Sequence, residues 1–382
     1  MANLLSKIWL SSPHMGGEEV RFVQEAFDTN WVAPLGPNVS GLETDLEKYL
    51  ADSDSPLFVA ALSSGTAALH LALILAGVEP GDEVLCQSMT FSASANPIRY
   101  QYATPVFIDS EAQTWNLCPD ALEAAIQDRI KKGKKPKALV AVHLYGTPYQ
   151  VDAVHAICKK YNIILIEDSA EALGSTYKGK ACGTFGDFGI LSFNGNKIIT
   201  TSGGGALVCK TKAHQEKAVF LATQARDAAP HYQHSHIGYN YRMSNICAGI
   251  GRGQMRVLPD RVNQRRAMHT FYKEILKDIP AVKVFETPSS DYVSNYWLSC
   301  ITVNPESGKT REGLRLFLET LNIESRPLWK PMHLQPVFNS YPYYGNRVAE
   351  SLFENGLCLP SGSNLSDADR NRIKEALQTY FA

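Results

Sequence analysis

The chain of 382 residues is 45% hydrophobic and 20% charged, and its 37 Lys and Arg residues nearly balance its 38 Asp and Glu residues. This length supports a large packed core with a smaller domain attached, which excludes a disordered or fibrous protein. The net charge of −1 indicates no bulk affinity for nucleic acid or for an anionic membrane surface, so any anion must bind locally.

The eight cysteines are scattered, without a CxxC pair or a Cys and His cluster at metal-ligand spacing. The histidine-rich loop at 231–236 also matches no common metal site, and we expect none. The cysteines are typical of small buried residues in a reducing compartment. Because no run of about 18 apolar residues and no cleavage signature occurs, we expect a cytoplasmic protein that does not enter the membrane.

Short apolar runs alternate with helical patterns from residue 57 to residue 168. The predicted strands are 58–62, 83–86, 105–109, 138–143 and 163–168. The predicted helices are 66–77, 92–102, 119–130 and 151–161. This alternation indicates a largely parallel sheet covered by helices, the α/β class.

A long helical pattern at 245–276 follows the alternating region. We expect it to link a large α/β domain, residues 1–260, to a smaller C-terminal α/β domain, residues 261–382. Within the large domain, His143 and Asp168 end two buried strands. In open α/β sheets this edge is where ligands bind.

Asp168 is followed by Lys197, which lies in a turn of Ser, Asn and Gly residues at 192–197. A pyridoxal phosphate enzyme requires these two groups. The lysine amine forms a Schiff base with the cofactor aldehyde, and the carboxylate keeps the pyridine nitrogen protonated. Alone, the Asp is equally typical of a helix cap and the Lys of a solvated turn.

Three further features fit such a cofactor. The turn at 63–66 begins a helix, whose free N–H groups and dipole favour a phosphate. The glycines at 203–205 allow close backbone approach to a ligand, although a plain hairpin turn explains them equally well. Phe91 follows a predicted strand and is suited either to stacking on a planar ring or to core packing.

Four motifs together resemble the sugar-nucleotide aminotransferases of the DegT/StrS type. They are EDSAEALG at 167–174, GTFGDFG at 183–189, the segment 192–205 that contains Lys197, and GYNYRMS at 238–244. The resemblance extends from residue 13 to residue 362 and implies a fold-type I pyridoxal phosphate-dependent aminotransferase. Within the family, segments 30–36, 192–205 and 326–333 most resemble bacterial enzymes of bacillosamine-type pathways. Those enzymes aminate C4 of a UDP-linked 4-keto-6-deoxy-N-acetylhexosamine.

The resemblance implies roles for individual residues. Lys197 holds the cofactor and moves the substrate proton, Asp168 pairs with the pyridinium nitrogen, and Phe91 stacks on the ring. The phosphate is held by Gly65, Thr66 and Ser192, and by Asn240 of a second subunit. The resemblance therefore implies a homodimer with shared sites and an amino-acid donor, L-glutamate by analogy.

Glu171 departs from the family pattern, because many members carry Gln at this position to contact the ring hydroxyl. A carboxylate there repels an anionic oxygen unless a proton is shared. Substrate contacts are implied for Asn30, Trp31, Ala33, Arg326, Trp329 and His333. Arg suits a pyrophosphate and Trp a uracil or sugar face, although interdomain packing explains both types equally well.

Three alternatives stay open at this stage. One is amination of another keto nucleotide sugar, dTDP- or GDP-linked. A second is a pyridoxal phosphate-binding regulator without turnover, since a fold does not by itself imply a function. The third is sugar deoxygenation on the same fold, which Lys197 argues against because those relatives carry histidine in its place.

Overall fold

The computed structural model describes residues 6–51 and 56–382. Its helices are α1 (Glu19–Asp28), α2 (Pro37–Leu50), α3 (Gly65–Leu75), α4 (Asn96–Tyr100), α5 (Pro119–Lys131), α6 (Val151–Tyr161), α7 (Lys212–Ala222), α8 (Asn245–Met255), α9 (Leu258–Leu276), α10 (Arg311–Thr320), α11 (Val348–Asn355) and α12 (Asp367–Phe381). Its strands are β1 (Phe58–Leu62), β2 (Glu83–Gln87), β3 (Thr104–Ile108), β4 (Ala138–Val142), β5 (Ile164–Asp168), β6 (Thr176–Tyr177), β7 (Lys180–Ala181), β8 (Phe188–Ser192), β9 (Gly205–Cys209), β10 (Val282–Val284), β11 (Tyr292–Val293), β12 (Ser299–Val303), β13 (Arg326–Pro327), β14 (Tyr343–Tyr344) and β15 (Gly356–Leu359).

An eight-stranded sheet in the order β1-β9-β8-β5-β4-β2-β3-β14 forms the centre of the large domain. The strands from β14 to β8 run parallel, and β9 is antiparallel to both of its neighbours. Successive side chains of β2 point to opposite faces of the sheet. Val84 packs in one apolar cluster with Leu71 of α3, and Leu85 packs in another with Val154 of α6. Burial on both faces explains why these strands are apolar throughout.

A second sheet, in the order β10-β12-β15-β13, lies in the C-terminal part of the chain. Apolar residues of α9, α10 and α12 pack together with it. The chain then returns to the large sheet, since β14 pairs with β3 far beyond residue 260. The division of the chain at residue 260 stays a prediction.

Two predicted helices are interrupted in the structure. The pattern at 245–276 forms α8 and α9 with a break between Met255 and Leu258. Pro259 lies in the first turn of α9, where it has no N–H to donate and would clash with the carbonyl of Met255 in a continuous helix. The pattern at 92–102 forms a single 3-10 turn followed by the short α4, which has Pro97 in its first turn.

The carboxyl ends of β1, β5 and β8 meet at one edge of the large sheet, because these strands share a direction. Asp168 ends β5 and Ser192 ends β8. The turn from β1 into α3 lies at the same edge. Across residues 6–51 and 56–382, no helix combines the length and the apolar character needed to cross a bilayer.

Candidate active site

A cavity of about 290 Å³ opens at this edge of the sheet. Most of the residues predicted to hold the cofactor line it, and these are Gly65, Thr66, Phe91, Asp168, Glu171, Ser192 and Lys197. Trp329, one of the predicted substrate residues, also lines it. The sequence motifs therefore converge on one site, although they are spread over more than 260 positions of the chain.

The helix N-terminus at the cavity is tightly packed and capped. Ser64 Oγ accepts a hydrogen bond from the backbone N–H of Ala67 at 3.0 Å. The N–H groups of Gly65 and Thr66 lie in the first turn of α3, where no preceding helical carbonyl can accept from them. With the helix dipole, they form a site suited to a phosphate.

Gly205 allows β9 to lie close to the start of α3 because it has no side chain. A Cβ at Gly205 would collide with the backbone nitrogen of Gly65 and the carbonyl carbon of Ser64. The neighbouring Gly203 has no atom within 4 Å of the same position. Gly205 therefore sets the distance between β9 and the start of α3.

We expect Gly205→Ala to displace the start of α3 and to lower the free energy of unfolding by about 2–4 kcal/mol, as overpacking in rigid surroundings does. It should also weaken retention of the cofactor. Thermal unfolding and cofactor titration measure the two effects, and Gly203→Ala is the matched control for the change in stability. Equal stability of the two variants would contradict this account.

Asp168 is buried, with 7% of its surface exposed. Ser94 Oγ donates to Asp168 Oδ2 at 2.6 Å, and the backbone N–H of Ala170 donates to Oδ1 at 3.2 Å. Thr90 Oγ1 lies 2.7 Å from Ser94 Oγ and completes the chain of hydroxyls. These contacts hold the carboxylate in one orientation at the cavity wall, as a group that pairs with a ring nitrogen requires.

Lys197 lies in a turn that is fixed from two other parts of the chain. The carbonyl of Asn196 accepts hydrogen bonds from Ser11 Oγ and from Trp297 Nε1, both at 2.7 Å. Lys197 Nζ lies 4.0 Å from the centroid of the Trp297 ring and 3.7 Å from Glu171 Oε1. The amine is thus held between an aromatic face and a carboxylate.

Glu171 is buried against Tyr145, whose backbone N–H donates to Glu171 Oε2 at 2.6 Å. Tyr145 adopts a left-handed conformation with φ of 52°, which is uncommon for a bulky residue and is typical of functional sites. Its hydroxyl accepts from the Trp329 backbone N–H at 2.8 Å. Burial raises the pKa of Glu171, and the nearby charge of Lys197 opposes that shift in part.

The residues present fit pyridoxal phosphate. A lysine amine, a fixed carboxylate and a helix N-terminus face one cavity, and the Phe91 ring is 54% exposed at its wall. Trp329 Nε1 is buried without a hydrogen-bond partner among the described residues, although the indole lies near enough to Glu171 to favour its ionised form. The lysine, the carboxylate and the helix N-terminus supply the attachment, ring-pairing and phosphate-holding contacts that the cofactor requires.

Four of the predicted residues lie outside the cavity on the exposed side of the large domain. Asn30, Trp31 and Asn240 are exposed, and Ala33 is half-buried. The carbonyls of Trp31 and Ala33 accept from the side chain and the backbone N–H of Asn245. The predicted substrate contacts of Asn30, Trp31 and Ala33 stay predictions, as does the predicted contact of Asn240 with the phosphate of a second subunit.

Arg326 and His333 do not line the cavity. The exposed Arg326 side chain pairs with Glu324 Oε1 at 2.8 Å. His333 Nδ1 lies 2.7 Å from Ser88 Oγ, and its Nε2 lies 3.3 Å from Glu350 Oε1. In this arrangement both residues have protein partners, and their substrate roles stay predictions.

Three residues of the site were not predicted from the sequence. Ser94 fixes Asp168, Tyr145 anchors Glu171, and Trp297 supports both the Asn196 carbonyl and the Lys197 amine. Ser94 follows Phe91 closely, so the hydroxyl-rich run at 90–94 was a usable signal. Tyr145 and Trp297 belong to no motif, and only tertiary packing brings them to the cavity.

Comparisons with known proteins agree with this geometry. Residues 13–378 match the DegT/DnrJ/EryC1/StrS aminotransferase family. EpsN of Bacillus subtilis (strain 168), whose name describes a pyridoxal phosphate-dependent aminotransferase, is 50% identical over 379 residues, covering 98% of this chain and 96% of EpsN.

Two other relatives carry names that include a nucleotide sugar. The GDP-perosamine synthase of Escherichia coli O157:H7 is 36% identical over 97% of each chain. The dTDP-4-dehydro-2,3,6-trideoxy-D-glucose 4-aminotransferase of Saccharopolyspora spinosa is 30% identical over 97% of this chain and 95% of its own.

Among solved structures, a DegT DnrJ EryC1 StrS aminotransferase from Brucella abortus superposes with a TM-score of 0.88 at 29% identity, covering 96% of this chain and 95% of that one. The fold-type I α/β architecture is thereby confirmed. The predicted UDP-linked acceptor receives no specific support from these relatives, whose names include GDP- and dTDP-linked sugars. The chain belongs to the DegT/DnrJ/EryC1/StrS family and is a pyridoxal phosphate-dependent sugar aminotransferase.

Proposed function

We propose that this chain transfers an amino group from L-glutamate to C4 of a nucleotide-linked 4-keto-6-deoxy sugar. The observation that carries the proposal is the convergence of Lys197, the fixed Asp168 carboxylate and the α3 N-terminus on one cavity. Membership in a sugar aminotransferase family supports the acceptor class. The relative named a 4-aminotransferase supports the position on the sugar.

Each group at the cavity has a chemical task in this reaction. When bound, pyridoxal phosphate supplies an aldehyde that carries the amino group and a ring that accepts electrons. Asp168 would pair with the ring nitrogen and keep it protonated, while the start of α3 would hold the phosphate. The Lys197 amine attaches the cofactor and, once free, takes a proton from the substrate carbon and returns it.

The nucleotide of the acceptor is the open part of the proposal. The resemblance of segments 30–36 and 326–333 favours UDP-linked N-acetylhexosamines. The relatives named for GDP-perosamine and for a dTDP-linked sugar favour GDP or dTDP at least as well. We therefore retain a GDP- or dTDP-linked 4-keto sugar as a second candidate acceptor.

A panel of acceptors tests this part. The purified holoenzyme is given L-glutamate and, in turn, the UDP-, GDP- and dTDP-linked 4-keto-6-deoxy sugars, and kcat/KM is measured for each. A preference of about 100-fold or more for one nucleotide identifies the acceptor. If glutamate is converted to 2-oxoglutarate but none of the three sugars is aminated, the proposed acceptor class is wrong.

We further propose that the active form is a homodimer in which Asn240 reaches the cofactor phosphate of the other subunit. Asn240 is exposed and does not line the cavity of its own chain. The segment after α1 also presents exposed apolar side chains, with Val32 and Leu35 each 54% exposed. An apolar surface of this kind is typical of a subunit interface.

Mixing two defective variants tests the shared site. Lys197→Ala and Asn240→Ala each lack one group of every site, and we expect each alone to be strongly impaired. After subunit exchange, half of the dimers carry one intact site, so activity should return to about one quarter of the wild-type value. No recovery, in a mixture shown by mass spectrometry to contain heterodimers, would contradict the shared site.

A further inference from the structure

The two oxygens of the Glu171 carboxylate have different surroundings. Oε2 is held by the Tyr145 backbone N–H at 2.6 Å. Oε1 lies 3.7 Å from Lys197 Nζ, so a movement of about 1 Å brings the two atoms into hydrogen-bond contact. Both side chains are largely buried, with 5% and 13% of their surfaces exposed. Glu171 is thus anchored at one oxygen, and its other oxygen faces the Lys197 amine.

The charges around this pair are few. Of the described residues that line the cavity, Lys197 is the one cationic side chain, and Asp168 and Glu171 are the carboxylates. The Tyr145 hydroxyl and the Cys300 thiol also face Glu171, and burial raises the pKa of each, so both are neutral near pH 7. The amine also lies over the face of Trp297, and the Trp329 indole lies near the carboxyl.

Two carboxylates and one cation in a buried cavity do not all keep their charges at low cost. Asp168 accepts hydrogen bonds at both oxygens, from Ser94 Oγ and from the Ala170 N–H. Glu171 has one backbone donor, and burial together with the nearby Asp168 charge raises its pKa against the effect of Lys197. Of the two carboxylates, Glu171 is therefore the one that accepts a proton more readily.

We propose that Glu171 is the proton acceptor for Lys197, and that the two side chains share one proton when the amine is free. In this step an N–H bond of the Lys197 ammonium breaks and an O–H bond forms at Glu171 Oε1. The neutral amine can then form its bond to the cofactor's aldehyde carbon, and its two hydrogens leave with the carbonyl oxygen as water. This inference rests on the proposed role of Lys197 as the attachment residue.

A shared proton has a consequence that a structural role of Glu171 lacks. While the pair holds one proton, the fraction of neutral amine is fixed by the internal equilibrium and does not change with pH. In Glu171→Gln the side chain keeps its size but cannot accept a proton. The Lys197 ammonium must then lose its proton to solvent, so the reactive fraction rises about tenfold for each pH unit until the amine is neutral.

The rate of cofactor capture measures this difference. The full-length protein, freed of cofactor, is mixed with pyridoxal phosphate, and the visible absorbance of the lysine-bound form is followed from about pH 6 to about pH 9. We divide the rate of Glu171→Gln by that of the wild type at each pH, which cancels the titration of the cofactor itself. The ratio should rise about tenfold per pH unit over part of the range. A ratio that does not change with pH would overturn the proposal.

A control variant in the capture assay and a second assay without cofactor extend the test. Trp329→Phe removes the indole N–H near Glu171 but leaves its carboxyl, so its rate relative to the wild type should not change with pH. Acetylation of Lys197 in the cofactor-free chain, quantified by mass spectrometry, should show the same contrast between the wild type and Glu171→Gln. Equal pH dependence of acetylation in these two proteins would also refute the shared proton.

The capture assay contains neither donor nor acceptor sugar. A wrong acceptor in the proposed function therefore leaves its outcome unchanged. If the wild type itself failed to attach the cofactor through Lys197, both the inference and the proposed function would fail together.

Discussion

Replacement of Lys197 by alanine should abolish amino transfer, with kcat lowered by at least about 10⁴-fold. The amine both attaches the cofactor and moves the substrate proton. No other cationic side chain among the described residues lines the cavity, so none can take over this work. Steady-state release of 2-oxoglutarate from L-glutamate measures the loss. The variant should still fold, because the Lys197 side chain contributes one pair with Glu171 and one contact with Trp297.

Lys212→Ala is the matched control for this variant. Lys212 lies in α7, and its exposed ammonium pairs with Glu216 at 3.7 Å, a surface interaction of little energetic weight. We expect wild-type turnover from it. Turnover of Lys197→Ala within tenfold of the wild type would remove Lys197 from both of its roles.

Asp168→Asn should lower kcat by about 10³-fold with little change in stability. The amide is nearly the same size and can still accept the hydrogen bond from Ser94, but its negative charge is lost. A ring nitrogen next to a neutral amide is no longer held protonated, so the ring accepts electrons less readily. The rate of the half-reaction with L-glutamate, followed by the absorbance of the bound cofactor, measures the effect directly.

Asp187→Asn serves as the control, since Asp187 Oδ2 accepts the backbone N–H of Leu165 at 2.8 Å and does not line the cavity. This variant should lower the free energy of unfolding and leave the rate of the half-reaction unchanged. If both substitutions slowed the half-reaction equally, the effect at Asp168 would be structural, and its pairing with the ring nitrogen would be refuted.

Much of the large domain could be predicted because its signals are local. Helix α6 begins and ends at the predicted residues 151 and 161, and β5 ends at Asp168 as expected. Burial on both faces makes these strands apolar, and helical periodicity identifies the segments between them. The break between α8 and α9 was missed because the apolar pattern continues across both helices. Proline was the local signal for that break.

The candidate site was predicted where its residues belong to motifs at strand ends and helix starts. Asp168, Lys197 and Gly65 are in this group, and all three line the cavity. Tyr145 and Trp297 could not be predicted in this way, because they reach the cavity through contacts between segments that are far apart in sequence. The pairing of β14 with β3 could not be predicted for the same reason, since the two strands are far apart in sequence.

If this chain moves an amino group from L-glutamate to a 4-keto nucleotide sugar, as we propose, the nitrogen of the donor must appear in the sugar product. Transfer of the ¹⁵N label from L-[¹⁵N]glutamate tests it most directly, with the holoenzyme and the preferred acceptor from the panel. We expect a 4-amino sugar that carries the label and forms in equal amount with 2-oxoglutarate. A product without the label, or 2-oxoglutarate formed with no aminated sugar for any nucleotide, would contradict it.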